Sequence, residues 1–260
     1  MERDFEDIDR ILNFAAEAGR VMLKCGGEIY RVEETIQRLC MAFDINEAEV
    51  FATPTTLLLS VYKNNKVYSV VKRINERSTD LNMMKKVNAL SRGISYKKMS
   101  IEECEKKLEK ISQKDDYSNI ITILSAGLVT SSFSILFGGG IKDFIVSFLA
   151  GIMTKILNDY LVKMRLNEFF VNIISAAFIA IMSVIFVEVG ILSNMDYIIA
   201  GVIMLLVPGF ALTNAIRDIL DGQLVAGTAK LSEVLFIGTS IAIGMSLVLN
   251  WYLKGGFFKC

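Results

Sequence analysis

The sequence predicts an α-helical polytopic membrane protein with about five transmembrane helices and an N-terminal α+β domain on the cytoplasmic side. Two observations carry that prediction. The apolar fraction is 53% and the mean hydropathy +0.46, both above the usual range of soluble globular domains. Charge is also segregated: of 28 basic and 28 acidic residues, 16 lie at or beyond Lys142 and the other 40 within the first 118 positions. The chain therefore divides into 1–118, a cytoplasmic α+β domain, and 119–260, a transmembrane domain.

In the first part, Ile8, Ile11, Leu12, Ala15, Val21 and Met22 recur at helical spacing over about Phe5 to Lys24, and Val32, Ile36 and Leu39 do so over Glu28 to Phe43. Gly26-Gly27 separates these two helices. Between Glu49 and Ile74 the pattern turns to β-branched and aromatic runs, VFAT, TTLLLSVY and KVYSVVKRI, with Lys63-Asn64-Asn65 as a hairpin turn. Helical patterns return at about Asp80 to Ser91 and Ser100 to Ser112, the latter opened by a Ser100/Glu103 capping box.

The second part holds the spans. Asn119 to Phe137 carries no charge over 19 residues, close to the roughly 30 Å hydrocarbon thickness at 1.5 Å per residue. Further spans are expected at about Ile141 to Leu161, Asn167 to Ile191, Asp196 to Ile216 and Lys230 to Leu253. The acidic N-terminus lacks the basic start and apolar core of a secretory signal, so insertion is expected to rely on these internal helices. Lys106, Lys107, Lys110, Lys114, Lys163, Arg165, Arg217 and Lys230 fall in loops on one side, against Lys142, Lys254 and Lys259 on the other. The positive-inside rule then puts the first domain in the cytoplasm and, after five crossings, the C-terminus with Cys260 outside the inner membrane.

Several chemistries lose support. Both parts are charge-balanced, which argues against a nucleic-acid partner. Histidine is absent, removing the commonest general base and zinc ligand, and Cys25, Cys40, Cys104 and Cys260 lack zinc-site spacing. No cofactor, metal or enzymatic activity is expected. Gly138-Gly139-Gly140 reads as a turn, because a phosphate loop requires a following Lys-Ser/Thr.

The candidate transport residues centre on Pro208-Gly209, midway along the fourth span. Proline removes its own N–H and displaces the carbonyl of Met204, freeing polar backbone where lipid cannot satisfy it. Transporters bind substrates at such breaks; a packing kink is the plain alternative. Beyond the break, Thr213 and Arg217, Asn214 and Asp218, and Arg217 and Asp221 are each four apart. Arg217 with Asp218 or Asp221 offers a donor and an acceptor to a zwitterion, while an interfacial charge cluster is the plainer reading. Asp143, Asp159, Glu188 and Glu233 are candidate proton carriers, since intramembrane charge is costly; Asp159 can also simply neutralise Lys155. In the first domain Gly27, Glu28, Arg31, Glu33 and Thr35 mark a helix start of unassigned role, with Glu28 and Arg31 able to pair at i, i+3.

The ordered set GGEIYRVEETIQRL, FATPTTLLLSVY, LFGGGIKDF, IMLLVPGFALTNAIRDILDG and AGTAKLSE resembles the threonine/serine exporter family (ThrE/YjjP-like) nearly end to end. The resemblance implies a proton-driven secondary exporter of small hydrophilic metabolites, threonine and serine first, with some split members tied to succinate export. Full-length members carry twice the membrane part, so the resemblance further implies the large subunit of a split exporter working with a small membrane partner of the same family. Five more spans in the opposite sense then form an inverted repeat, and Pro208 and Gly209 line a shared pathway. Two other classes compete: a membrane-anchored enzyme, and a regulator whose soluble domain senses a cytosolic metabolite.

Overall fold

The computed structural model describes residues 2–97, 99–113, 117–192 and 194–255. Lys114, Lys259 and Cys260, used above to orient the chain, lie outside the described residues. The chain forms two compact units, Met1–Asp115 with Phe210–Ser232, and Asp116–Gly209 with Glu233–Cys260.

In the first unit, α1 (Glu2–Lys24) and α2 (Ile29–Ala42) precede β1 (Ala48–Ala52), β2 (Thr56–Lys63) and β3 (Lys66–Arg73), followed by α3 (Leu81–Lys97) and α4 (Ile101–Ser112). The strands form an antiparallel sheet in the order β1-β2-β3. Asn64 and Asn65 close the β2–β3 hairpin at φ 53° and 58°, the two left-handed positions of a type I′ turn, which asparagine tolerates. Period-two alternation turns Leu57, Leu59 and Val61 into the core against Leu12, Ala15, Ala16 and Met22 of α1 and Val32, Ile36 and Leu39 of α2. Gly19 lets α1 and α2 meet closely, since a Cβ there would lie 2.3 Å from Ile36 Cδ1. Ser100 caps α4 by accepting from Glu103 N at 3.4 Å, and Arg10 of α1 reaches Glu102 and Glu105 of α4 at 2.8 and 2.7 Å.

The second unit inverts this polarity. It holds α5 (Asn119–Leu136), α6 (Ile141–Lys163), α7 (Glu168–Glu188), α8 (Asp196–Ile203) and the larger part of α10 (Leu224–Leu253). Among the described residues four helices, α5, α6, α7 and α10, are long and apolar enough to cross a membrane. Large apolar side chains such as Ile120, Leu128, Ile145, Phe170 and Leu247 point outward, while Thr130, Ser134, Ser147, Thr154, Ser175 and Ser183 are buried. That is the pattern of helices solvated by lipid, where small and hydroxylated residues allow close approach. Thr130 Oγ1 on α5 donates across to Ser147 O on α6 at 2.7 Å. A Cβ at Gly151 would fall 2.2 Å from that same Oγ1, and one at Gly244 of α10 2.3 Å from Ile173 O of α7.

The expected fourth span is not one helix. It is divided into α8, eight residues long, and α9 (Gly209–Leu220), separated by a turn and Pro208. Eight residues rise only about 12 Å, well short of the hydrocarbon thickness. From Phe210 the chain packs with the first unit, so the segment through Ser232, assigned by sequence to the membrane part, folds with the N-terminal domain instead.

Candidate functional site

The helix break is built as the proline chemistry dictates. α8 ends at Ile203; turn bonds run from Leu206 N to Ile203 O at 2.8 Å and from Val207 N to Ile203 O at 3.1 Å, and Gly209 N bonds Val207 O at 2.9 Å. Pro208 has no N–H to continue the ladder, and α9 starts afresh at Gly209. Ile198 and Val202 of α8 are fully buried, and Gly201 admits Thr130 O of α5, which a Cβ would meet at 2.6 Å.

Beyond the break, the polar residues of α9 come together with the glutamate-rich motif at the start of α2. Gly26 adopts φ +81°, a conformation open to glycine at little cost, and its carbonyl accepts from Asn214 Nδ2 at 2.9 Å. Glu28 is the N-cap of α2 but makes no capping bond. The cap comes instead from Asp218, whose Oδ1 accepts from Ile29 N at 3.0 Å. Asp218 is fully buried; its Oδ2 accepts from Lys230 Nζ at 2.6 Å, and Lys230 also donates to Gly27 O at 3.1 Å. Arg217 pairs with Glu28 Oε1, and Arg31 Nε stands 2.6 Å from the other oxygen, the i, i+3 pair anticipated from the sequence.

One turn further along α2, Glu33 accepts from Ala52 N at 3.1 Å and from Gln223 Nε2 at 2.8 Å. Burial pushes its carboxyl above the ordinary range, against the lowering effect of those two bonds and with a further upward push from the Asp218 charge. Thr35 is buried and donates weakly to Asn88 Oδ1 at 3.4 Å. A Cβ at Gly227 would lie 2.5 Å from Ile219 Cγ1, so glycine lets the start of α10 close against α9.

The remaining sequence candidates are dispersed. Thr213 on α9 and Asp221 in the turn after it are exposed, and Arg217 pairs with Glu28. Asp143 Oδ2 accepts from Gly140 N at 2.8 Å at the start of α6. Asp159 pairs with Lys155 at 2.7 Å, and Glu188 accepts from Tyr252 Oη at 2.6 Å. Glu233 lines a cleft of about 410 Å³ with Asn167, Phe170 and Phe236. These four carboxylates thus have different neighbours.

Gln223 and the bonding role of Lys230 were missed in the sequence. Lys230 is twelve residues from Asp218 and 203 from Gly27, and neither separation has a local periodicity to reveal it.

The chain is 24% identical over 249 residues to a protein of Escherichia coli named probable succinate transporter subunit YjjP, covering 94% of this chain and 96% of that protein. A Klebsiella aerogenes protein of the same name is 23% identical over 259 residues, 98% and 99% covered. The threonine/serine exporter of Corynebacterium glutamicum is 22% identical over 255 residues, covering 94% of this chain but only 52% of the exporter. No solved structure matches the chain. Residues 13–252 match the ThrE family profile, and the chain belongs to this family of threonine/serine exporters.

Proposed function

We propose that the chain is the large subunit of a two-component, proton-driven secondary exporter of small carboxylate-bearing metabolites, threonine and serine first, completed by a small membrane partner. The observation that carries this reading is the difference in coverage. The chain matches nearly all of the YjjP relatives but about half of the single-chain exporter, as one half of a split ten-span unit would. The YjjP names favour succinate as a second reading, and both substrate classes present a carboxylate.

In this reading the pathway runs past the Pro208–Gly209 break, where freed backbone groups and the start of α9 meet the substrate, as in transporters with discontinuous helices. Arg217, whose side chain is 47% exposed, is the carboxylate donor after exchanging its Glu28 partner. Asn214, Asp218 and Lys230 hold α9 on α2. Thr213 and Asp221, both exposed, complete the polar end of the route, and Asp143, Asp159, Glu188 and Glu233 remain the proton-carrier set. The N-terminal domain faces the cytoplasm and the C-terminus the outside of the inner membrane.

The test is counterflow of labelled threonine, serine and succinate in proteoliposomes with and without the partner. The reading requires counterflow only with both chains present and a dependence on the proton gradient. Robust counterflow by the purified single chain would overturn the two-component claim.

A further inference from the structure

Beside the α9 cluster, with which it shares Arg31, the first unit holds a cleft of about 450 Å³ between α2 and α3, lined by Arg31, Leu81, Met84, Lys85, Asn88, Ala89 and Arg92. Lys85, Asn88 and Arg92 are spaced i, i+3 and i+7, which places them on one face of α3, and Arg31 stands opposite on α2. The cleft has three cations in its lining and no acid, in a chain whose formal net charge is zero.

Within the cleft the charges are unevenly paired. Lys85 and Arg92 make no ion pair or hydrogen bond among the described residues. Arg31 uses its Nε for Glu28 and Tyr30. Thr35 bonds Asn88 Oδ1, leaving the Asn88 amide N–H groups as further donors. Leu81, Met84 and Ala89 supply an apolar wall beside these donors. Polar groups converging on a part-apolar cleft of this volume make a small-molecule site, and guanidinium and ammonium donors select oxyanions.

We propose that the α2–α3 cleft binds a small multivalent oxyanion from the aqueous phase, a dicarboxylate or a phosphate-bearing metabolite. Two negative charges match Lys85 and Arg92, while Arg31, already paired with Glu28, adds further N–H donors. A zwitterionic amino acid also carries its ammonium into the same field, so it gains little net attraction there. Such a site gives the domain a metabolite-sensing role.

The experiment measures thermal unfolding of the full chain in neutral detergent while titrating inorganic phosphate, succinate and threonine, with sodium chloride at matched ionic strength and a soluble short-chain phosphatidylglycerol as separate arms. Phosphate and succinate at ten times their Kd are expected to raise the Tm by about 3 °C, with no shift from threonine. The shift should vanish in Lys85→Ala/Arg92→Ala and persist in Lys63→Ala, which lies outside the cleft. Lys85→Gln and Arg92→Gln, each expected to weaken binding several-fold, provide the same reading if the double variant does not fold. An equal shift in the cleft variants, an equal shift from chloride, or binding of phosphatidylglycerol alone would overturn the proposal, the last in favour of a lipid-headgroup surface.

Discussion

Asp218 and Lys230 face each other at 2.6 Å, with the Asp218 side chain completely buried and that of Lys230 12% exposed. Through its other oxygen, Asp218 caps α2 at Ile29 N. The pair therefore ties together three helices, α2, α9 and the start of α10, and each partner satisfies a charge that burial would otherwise strand. Removing one partner of a buried pair typically costs about 3–5 kcal/mol, because the other is left uncompensated. Asp218→Ala is expected to destabilise the protein by that order and to free α9 from α2. Thermal unfolding in detergent measures the loss. Lys230→Met in the Asp218→Ala background should recover part of it, and independent, additive losses would show that the two groups do not act as a pair.

The membrane helices depend on close approach where Gly151 meets Thr130. A Cβ at position 151 intrudes to 2.2 Å on Thr130 Oγ1, the hydroxyl that bonds Ser147 O. Gly151→Val is expected to separate α5 from α6 at a cost of about 1–3 kcal/mol. Gly238→Val on α10, where a Cβ meets nothing within 4 Å, should cost less. Comparable unfolding temperatures for the two variants would contradict this packing.

Local features were legible in the sequence, and long-range ones were not. Periodicity placed α1, α2 and the β2–β3 hairpin, and hydropathy placed α5, α6 and α7, because helix spacing, turn residues and apolar runs are recorded within a few neighbouring positions. Pro208 marked a break for the same reason. The membership of Phe210–Ser232 in the N-terminal unit was hidden because Phe210, Leu212 and Ile216 look like a membrane span by composition. What holds the segment there are Asn214, Arg217, Asp218 and Lys230, whose partners on Gly26–Ile29 lie 188 to 203 residues away. The Glu28 partner of Arg217 was hidden for the same reason, being 189 residues away.

Glu33 gives a pH signature. Its carboxyl is raised above the ordinary value of 4.5 by burial, so the native state holds that proton more tightly than the unfolded chain. The stability contributed by the protonated form is present below the unfolded value and declines as pH rises from there through the native value. The stability difference between wild type and Glu33→Gln should therefore fall as pH increases above about 4.5. Denaturant or thermal unfolding at a series of pH values measures it, and a flat difference would show that Glu33 has no altered affinity for protons in the fold.

Topology can be read with native thiols. Cys25, Cys40 and Cys104 are buried, and burial pushes them to about 11, 12 and 11, so little reactive thiolate exists at neutral pH. With these three replaced to exclude background, a membrane-impermeant maleimide applied to intact cells is expected to label Cys260. Labelling that appears only after permeabilisation would put the C-terminus in the cytoplasm and require an even number of crossings.

Pro208 and Gly209 separate a substrate pathway from a packing kink. Pro208→Ala restores a backbone N–H and relieves a residue that costs roughly 3 kcal/mol within a helix, so α8 and α9 gain propensity to join. If the break carries the substrate, the variant should keep or gain thermal stability, assemble with the partner and lose efflux by at least tenfold. Gly209 sharpens the comparison, since a Cβ there would meet nothing within 4 Å. Gly209→Leu is thus expected to fold normally while its bulk obstructs the route. Unfolding temperature, complex formation and threonine and succinate efflux should be measured on the same preparations. Near-normal efflux in Pro208→Ala, or losses in both variants that follow misassembly, would leave the break as a packing feature.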